Sequence, residues 1–493
     1  MKQLHTNLPA ALVMLACMGQ SQPSFASKQT AIGPEHIETA VEMRLLHDKG
    51  VDQHLVDVQV NDGVVELVGR VNDLLARERA ERIAQSVRGV RSVVNELDVA
   101  QPSRPDDELQ NDVVRALLAD PVAESYEIGV TVDNGQVTLE GTVESWEERR
   151  IAARAAMGVR GVREVTNRIE VSPPRKRLAK EIEREIELRL ELDPVILEQF
   201  VEVEVRDSAA ILEGKVSSAA EQVRAVRAAR VGGIVHIDVS RLSIVPGEQR
   251  RLLQSTPEIR PTDARIRTLI ENALTFDPRT TEAAIGVDVS NGIVTLTGRV
   301  ADAGAHRAAV RDARNTDGVL RVVDRIQVVP SGRVPDSVIE ESVRFALDRD
   351  PVVERHEIRV RVSNGLIRLD GKVDSYYERA HAEDIASRAA GAANVDNRLT
   401  ITTDWTWRPD FAIVKRLEEE LLMSPYVTAS KVQVSSDDAE VVLTGEVLSW
   451  RAITAAVENA FDAGAELVHN RLHLPGEEPV NTVHSYHDRR YWW

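Results

Sequence analysis

Twelve histidines, a single cysteine and 79 acidic residues are the groups from which this 493-residue chain could build a catalytic or metal site. Such a site needs them convergent, and the histidines keep no common spacing. His469 and His473 fall on a stretch with strand alternation, so they share a face but stand about 13 Å apart, too far to ligate one ion. His484-Ser485-Tyr486-His487 offers ligand types without the further partners that complete a tetrahedral set. One cysteine permits neither a disulfide framework nor a cysteine metal site. The carboxylates sit mostly beside Arg on helical surfaces, the pattern of solvated ion pairs. No catalytic residue, metal ligand or cofactor is expected.

Cys17 carries the one modification chemistry. Lys2, the apolar run Leu8–Ala16 and the small-x-small Ser24-Phe25-Ala26 read as an export signal, and the run is too short to span a bilayer. Two processing routes stay open. Cleavage after Ala26 removes residues 1–26, whereas acylation of Cys17 in Met14-Leu15-Ala16-Cys17 removes residues 1–16 and leaves an outer-membrane-anchored lipoprotein. Both predict a periplasmic location.

The net charge of −18 opposes nucleic acid and weakly opposes anionic lipid, so contact with a phospholipid surface must rest on local patches. Arg175, Lys176, Arg177 and Lys180 open a predicted helix, where cations oppose the dipole and invite an anion. Arg489 and Arg490 precede Trp492 and Trp493, a basic and aromatic pairing suited to a membrane surface. Trp146, Tyr376, Tyr377 and Trp450 start other predicted helices, either as packing contacts at a turn or as interface aromatics. Trp405 and Trp407 are expected to wedge adjacent units together.

These residues are positioned by a repeat. Leu-x-Gly-x-Val recurs six times, centred on Gly69, Gly141, Gly214, Gly298, Gly371 and Gly445, about 73 residues apart except for a longer interval between the third and fourth. It lies within a strand and not ahead of a helix, so it is no phosphate loop; glycine there marks a bulge or a close backbone approach. Six residues upstream, Asp62-Gly63, Asn134-Gly135, Asn291-Gly292 and Asn364-Gly365 predict two-residue hairpin turns. Modules three and six have Asp207-Ser208-Ala209 and Asp437-Asp438-Ala439 instead, which predicts longer or distorted hairpins. About twenty residues downstream come Gly89, Gly161, Gly232, Gly318, Gly391 and Gly464, then Asn or Asp, then a third alternating run.

Helical periodicity fills the gaps. A first helix ends at Asp-Pro in modules two to five, and a second opens with Ser145/Glu148, Ser218/Glu221 or Ser375/Glu378 as a capping box. The order is αββαβ, an α+β module whose three-stranded sheet is covered on one face by two helices. Six modules fit at 34–100, 105–172, 176–245, 262–329, 335–402 and 409–474, with a linker at 246–261 dividing two triplets and a tail at 475–493. Each is small enough to gain from packing against its neighbours, as in other repeat arrays.

The combination resembles the BON domain, named for bacterial osmotic-stress and nodulation proteins. Module two carries nearly all of it: Asp120-Pro121, Asn134-Gly135, Leu139 to Val143, Ser145 to Arg149 and Gly161 to Asn167. Module one departs at Lys49-Gly50, and module four has Asp302 for the capping serine. The resemblance implies a non-catalytic module of the cell envelope, associated with phospholipid binding, osmotic-shock tolerance and outer-membrane integrity. A periplasmic protein-interaction scaffold or chaperone-like array, with envelope proteins as partners, is the alternative.

Overall fold

The computed structural model describes residues 33–48, 50–51, 55–124, 127–173, 175–196, 200–245, 261–281, 283–330, 332, 334–354, 356–401, 409–448, 450–479 and 481–485. The export signal with Cys17, the pair Trp405 and Trp407, and Arg489, Arg490, Trp492 and Trp493 lie outside the described residues. The six modules belong to one compact unit.

Every first helix is 14 residues long: Pro34–His47, Asp106–Ala119, Ala179–Leu192, Asp263–Phe276, Asp336–Arg349 and Asp410–Met423. Apolar residues spaced for one face drive each of them inward, as Leu109, Val113 and Leu117 do in module two. The second helices, Leu74–Gln85, Trp146–Met157, Ala219–Ala229, Ala303–Arg314, Tyr376–Ser387 and Trp450–Ala463, pack through alanines, such as Ala152 and Ala156. Small side chains there bring the helix close to Val137, Leu139 and Val143 of the second strand. Burying a leucine such as Leu139 contributes about 1.5–3 kcal/mol.

Within a module the first two strands are an antiparallel hairpin and the third runs parallel to the second. In module two Gly129–Asp133 pairs with Gln136–Val143, which pairs with Glu164–Val171. The hairpins of modules three and six are neither longer nor distorted, contrary to the expectation from their missing glycine. Asp207-Ser208 and Asp438-Ala439 make the same two-residue turn, with φ of 47° and 64° and of 51° and 61°. Strand pairing on both sides holds the turn in a left-handed conformation that costs a non-glycine residue about 1–2 kcal/mol.

The strand glycine is required by a close approach. A Cβ on Gly69 would stand 2.0 Å from the Leu55 carbonyl oxygen, and one on Gly214 would stand 2.0 Å from that of Phe200. The downstream glycine of module three is corrected from Gly232 to Gly233, which holds φ +100°, because its second helix is one residue shorter than that of module two.

Packing between modules departs from a linear array. In the first triplet the start of each second helix rests on the next module. Leu74 of module one enters the core of module two, Trp146 of module two meets Arg230 of module three, and the Ala219 N–H of module three donates to the Val90 carbonyl of module one at 3.3 Å. Module four likewise donates from Ala303 N–H to the Ala392 carbonyl of module five at 2.9 Å, and its Leu320 packs on the core of module six. The two triplets meet by pairs. Arg88 N–H donates to Met423 at 2.9 Å, Arg160 N–H to Arg349 at 2.8 Å and Asp317 N–H to Leu192 at 3.2 Å. Modules one, two and three therefore pair with six, five and four, through the same loop meeting the same helix end. Part of the tail, Thr482–Ser485, adds a fourth strand to module six, antiparallel to Leu467–His473.

Candidate functional site

The repeated polar residues are the first place to look for a site, and the structure gives them work inside each module. Asn95, Asn167 and Asn397 donate from Nδ2 to the carbonyls of Arg77, Arg149 and Arg379 at 3.0, 3.0 and 2.9 Å. Those arginines return the bond from Nη2 to the asparagine carbonyls at 3.3, 2.7 and 3.3 Å. The reciprocal clasp ties the second helix to the third strand. Module four replaces it with His306, whose Nε2 lies 2.6 Å from Asp324.

The aspartates that end the first helices are tied to the second. Asp48 meets Arg79 at 2.5 Å, Asp193 meets Arg224 at 2.7 Å, and Asp350 meets His381 at 2.8 Å. The Ser145 hydroxyl accepts from the Glu148 N–H at 3.2 Å while the Glu148 carboxylate accepts from the Ser145 N–H at 2.8 Å. One repeated device was missed from sequence. Asp106, Asp263, Asp336 and Asp410, each at the start of a first helix, accept both N–H groups of the hairpin turn 28 and 29 residues later, at 2.7–3.1 Å. Pro34 and Ala179 occupy that place in modules one and three. An Asp 28 residues before a turn residue was the available signal, but such a spacing is recognised only once the hairpin and helix are known to touch.

Among the residues singled out for lipid contact, Lys176 and Lys180 are exposed. Residues 175–178 precede the helix, which begins at Ala179, so the segment leads into the helix and does not form its first turn. Arg175 pairs with Glu181 at 3.0 Å, Arg177 with Glu185 at 2.6 Å and Lys180 with Glu183 at 3.7 Å. These glutamates offset much of the local positive field. Between the lysines, Leu178 is 70% exposed.

The helix-opening aromatics sit at module boundaries where their side chains are described. Trp146 lies between Arg149, 4.9 Å from its ring, and Arg230 of module three at 5.8 Å. Tyr377 of module five lies under Arg79 of module one at 4.4 Å, and burial pushes its hydroxyl up to about 12. The side chains of Tyr376 and Trp450 lie outside the described residues. His469 is 3.2 Å from Glu440, and His484 is 2.9 Å from the Thr482 hydroxyl, so the two contribute to strand contacts.

Among the described residues one group has the composition of a metal site: His356, Asp374 and Glu378, with ligand atoms within 4.8 Å of one another. Glu378 already accepts from the Asp374 N–H at 2.6 Å and lies 3.2 Å from His356 Nε2. It caps a helix N-terminus, whose dipole disfavours a cation. No helix among the described residues is long and apolar enough to cross a membrane.

The comparisons with known proteins agree with the modular reading. A family model described as BON domain matches residues 35–101, 105–173, 179–246, 262–330, 335–403 and 409–476. The chain is similar to osmotically-inducible protein Y of Escherichia coli (strain K12), 27% identical over 143 residues, covering 28% of this chain and 71% of that protein. It is also similar to a 21 kDa hemolysin of Actinobacillus pleuropneumoniae, 30% identical over 134 residues, covering 25% of this chain and 66% of that protein. A solved structural protein of the type III secretion system of Chlamydia trachomatis is 14% identical and covers 48% of this chain and 98% of that one, with a TM-score of 0.13, too low to carry an argument.

Proposed function

Because this chain belongs to the BON domain family through six matched copies, we propose that it is a non-catalytic binding protein of the cell envelope that contacts phospholipid and supports membrane integrity under osmotic stress. The sixfold family match carries the reading, and the name of the similar osmotically-inducible protein supports the stress context. The repeated polar residues hold the modules together, which leaves binding to outward surfaces. Segment 175–180 is the best-placed described locus, since an exposed leucine flanked by exposed lysines suits insertion at a headgroup boundary. Co-sedimentation of the processed chain with neutral and phosphatidylglycerol vesicles tests it. Binding that weakens in Leu178→Ser and Lys176→Glu is expected; no sedimentation with either vesicle removes the lipid reading.

A scaffold for envelope proteins is the second reading. Phe411, Leu422, Leu118 and Val338 stand 75%, 56–58% and 52% exposed on first helices, apolar positions suited to protein contact. Cross-linking in cells that returned no protein partner would count against it.

A further inference from the structure

The outer edge of each third strand is a row of backbone groups that the first two strands of its module leave unpaired. Such a row pairs with any strand that reaches it unless something blocks the approach. In module six a strand has reached it. Thr482–Ser485 lies antiparallel on Leu467–His473, with Thr482 opposite Asn470 and His484 opposite Val468. The other five sheets stop at three strands.

An arginine closes that edge in three of the five. Arg77, Arg149 and Arg379 stand eight residues after the strand glycine. Each gives its Nη2 to the carbonyl of Asn95, Asn167 or Asn397, the register position of Asn470. A guanidinium seated on that carbonyl fills the place of an incoming backbone N–H. Module three closes its edge by other means. Gln222, at the same count, donates to the Leu242 carbonyl at 2.9 Å, and the strand pairing shifts register between Ile211 and Glu213, as a bulge does. Module six has Ile453 at that count, buried in its core, and it is the module that carries a fourth strand.

Module four has neither cap nor fourth strand. His306 takes the arginine's place, but its Nε2 goes to the Asp324 carboxylate at 2.6 Å and not to the backbone. The Ile326 N–H turns to that same carboxylate at 3.0 Å, which sets the alternation. Val322 and Asp324 therefore direct their backbone groups outward, away from the second strand with which the third pairs. Among the described residues nothing is bonded to the Asp324 carbonyl. Asp324 is exposed, and Ile326 is only partly buried, whereas Leu97, Ile169, Leu242, Leu399 and Leu472 at its register position are at most 3% exposed. A strand beside Arg321–Val328 covers the flank of Ile326 and takes the free carbonyl.

We propose that Arg321–Val328 of module four is a docking edge for an extended segment of another protein, which adds antiparallel as a fourth strand in the manner of Thr482–Ser485 on module six. The tail of a second copy is not the occupant. Residues 474–481 tether Thr482–Ser485 beside module six, at a local concentration that a separate molecule does not match. Backbone pairing supplies affinity for an extended segment, and side chains alternating along it supply the selection. The edge is separate from segment 175–180, so it stands or falls independently of lipid contact.

The probe is a fluorescently labelled peptide with the sequence of residues 480–487, which includes the strand that pairs with module six. Anisotropy measures its binding to the processed chain, to His306→Arg, which rebuilds the cap of modules one, two and five, and to an exposed control, Lys415→Gln. A second peptide carries Thr482→Pro and His484→Pro, which removes two backbone donors. Saturable binding by the parent and Lys415→Gln is expected, weakened about tenfold or more in His306→Arg and lost with the proline peptide. Residues 321–328 should gain amide-exchange protection when the peptide binds. No binding by the folded parent, equal binding by His306→Arg or equal binding of the proline peptide overturns the site. Protection confined to residues 467–473, where the peptide merely replaces the tail, also overturns it. If circular dichroism shows His306→Arg unfolded, the protection pattern in the parent decides.

Discussion

A single atom separates tolerated from forbidden at the strand glycines. The missing Cβ of Gly69 lets the second strand pass the Leu55 carbonyl, and an added methyl would stand 2.0 Å from that oxygen. The residue also holds φ +127°, a conformation that side chains resist. Gly69→Ala should lower stability by about 3 kcal/mol or more, in the range reserved for strained and overpacked sites. Gly332→Ala, with nothing within 4 Å, should shift the thermal midpoint by no more than about 1–2 °C. Equal midpoints for the two variants would contradict the close-approach account. The sequence revealed the glycine because it recurs in register. It did not reveal the partner of Asn167, because a side chain bonded to the carbonyl of Arg149, 18 residues away, leaves no local pattern.

Elements show where local chemistry was legible and where burial intervened. The capping boxes were readable because both partners lie within four residues, and the turns of modules three and six were misjudged because strand pairing overrode residue preference at Ser208 and Ala439. Module one illustrates a cost of substitution at one cap. Asp73 caps its second helix by accepting from the Ala76 N–H at 2.7 Å, the place held by Ser145, Ser218 and Ser375 elsewhere. Burial, only partly opposed by that bond, pushes its carboxyl up to about 6. A raised folded-state value means that the folded chain holds a proton the unfolded chain has lost, so stability falls as pH rises from about 4 to about 6. Asp73→Ser keeps the cap and removes the charge. It should raise the thermal midpoint at pH 7.5, by a stabilisation of about 1–3 kcal/mol, with the gain shrinking toward pH 4. A gain independent of pH would place its cause elsewhere.

At the scale of the whole unit, the sequence disclosed six modules and two triplets but not their partners. A repeat of period about 73 residues encodes what each module is, and every copy carries nearly the same surface-forming helices. Which copy meets which depends on pairs such as Arg44 with Glu420 at 2.9 Å and Arg265 with Glu191, 376 and 74 residues apart. Neither pair has a repeat equivalent that could betray it. In a linear array each copy touches only its neighbours, and the two halves would part once the chain between them was cut. Here the backbone bonds Arg88 to Met423, Arg160 to Arg349 and Asp317 to Leu192 join one triplet to the other through three equivalent contacts. The covalent link at 246–261 then only raises the effective concentration of contacts that exist without it. A protease site placed within 246–261 and cleaved should leave the halves co-eluting on gel filtration at micromolar concentration. Arg44→Glu with Arg265→Glu, which puts like charges on two of the three paired contacts, should separate the cleaved halves while leaving the uncut chain folded. Separation of the unmutated halves on cleavage would return the molecule to a linear array.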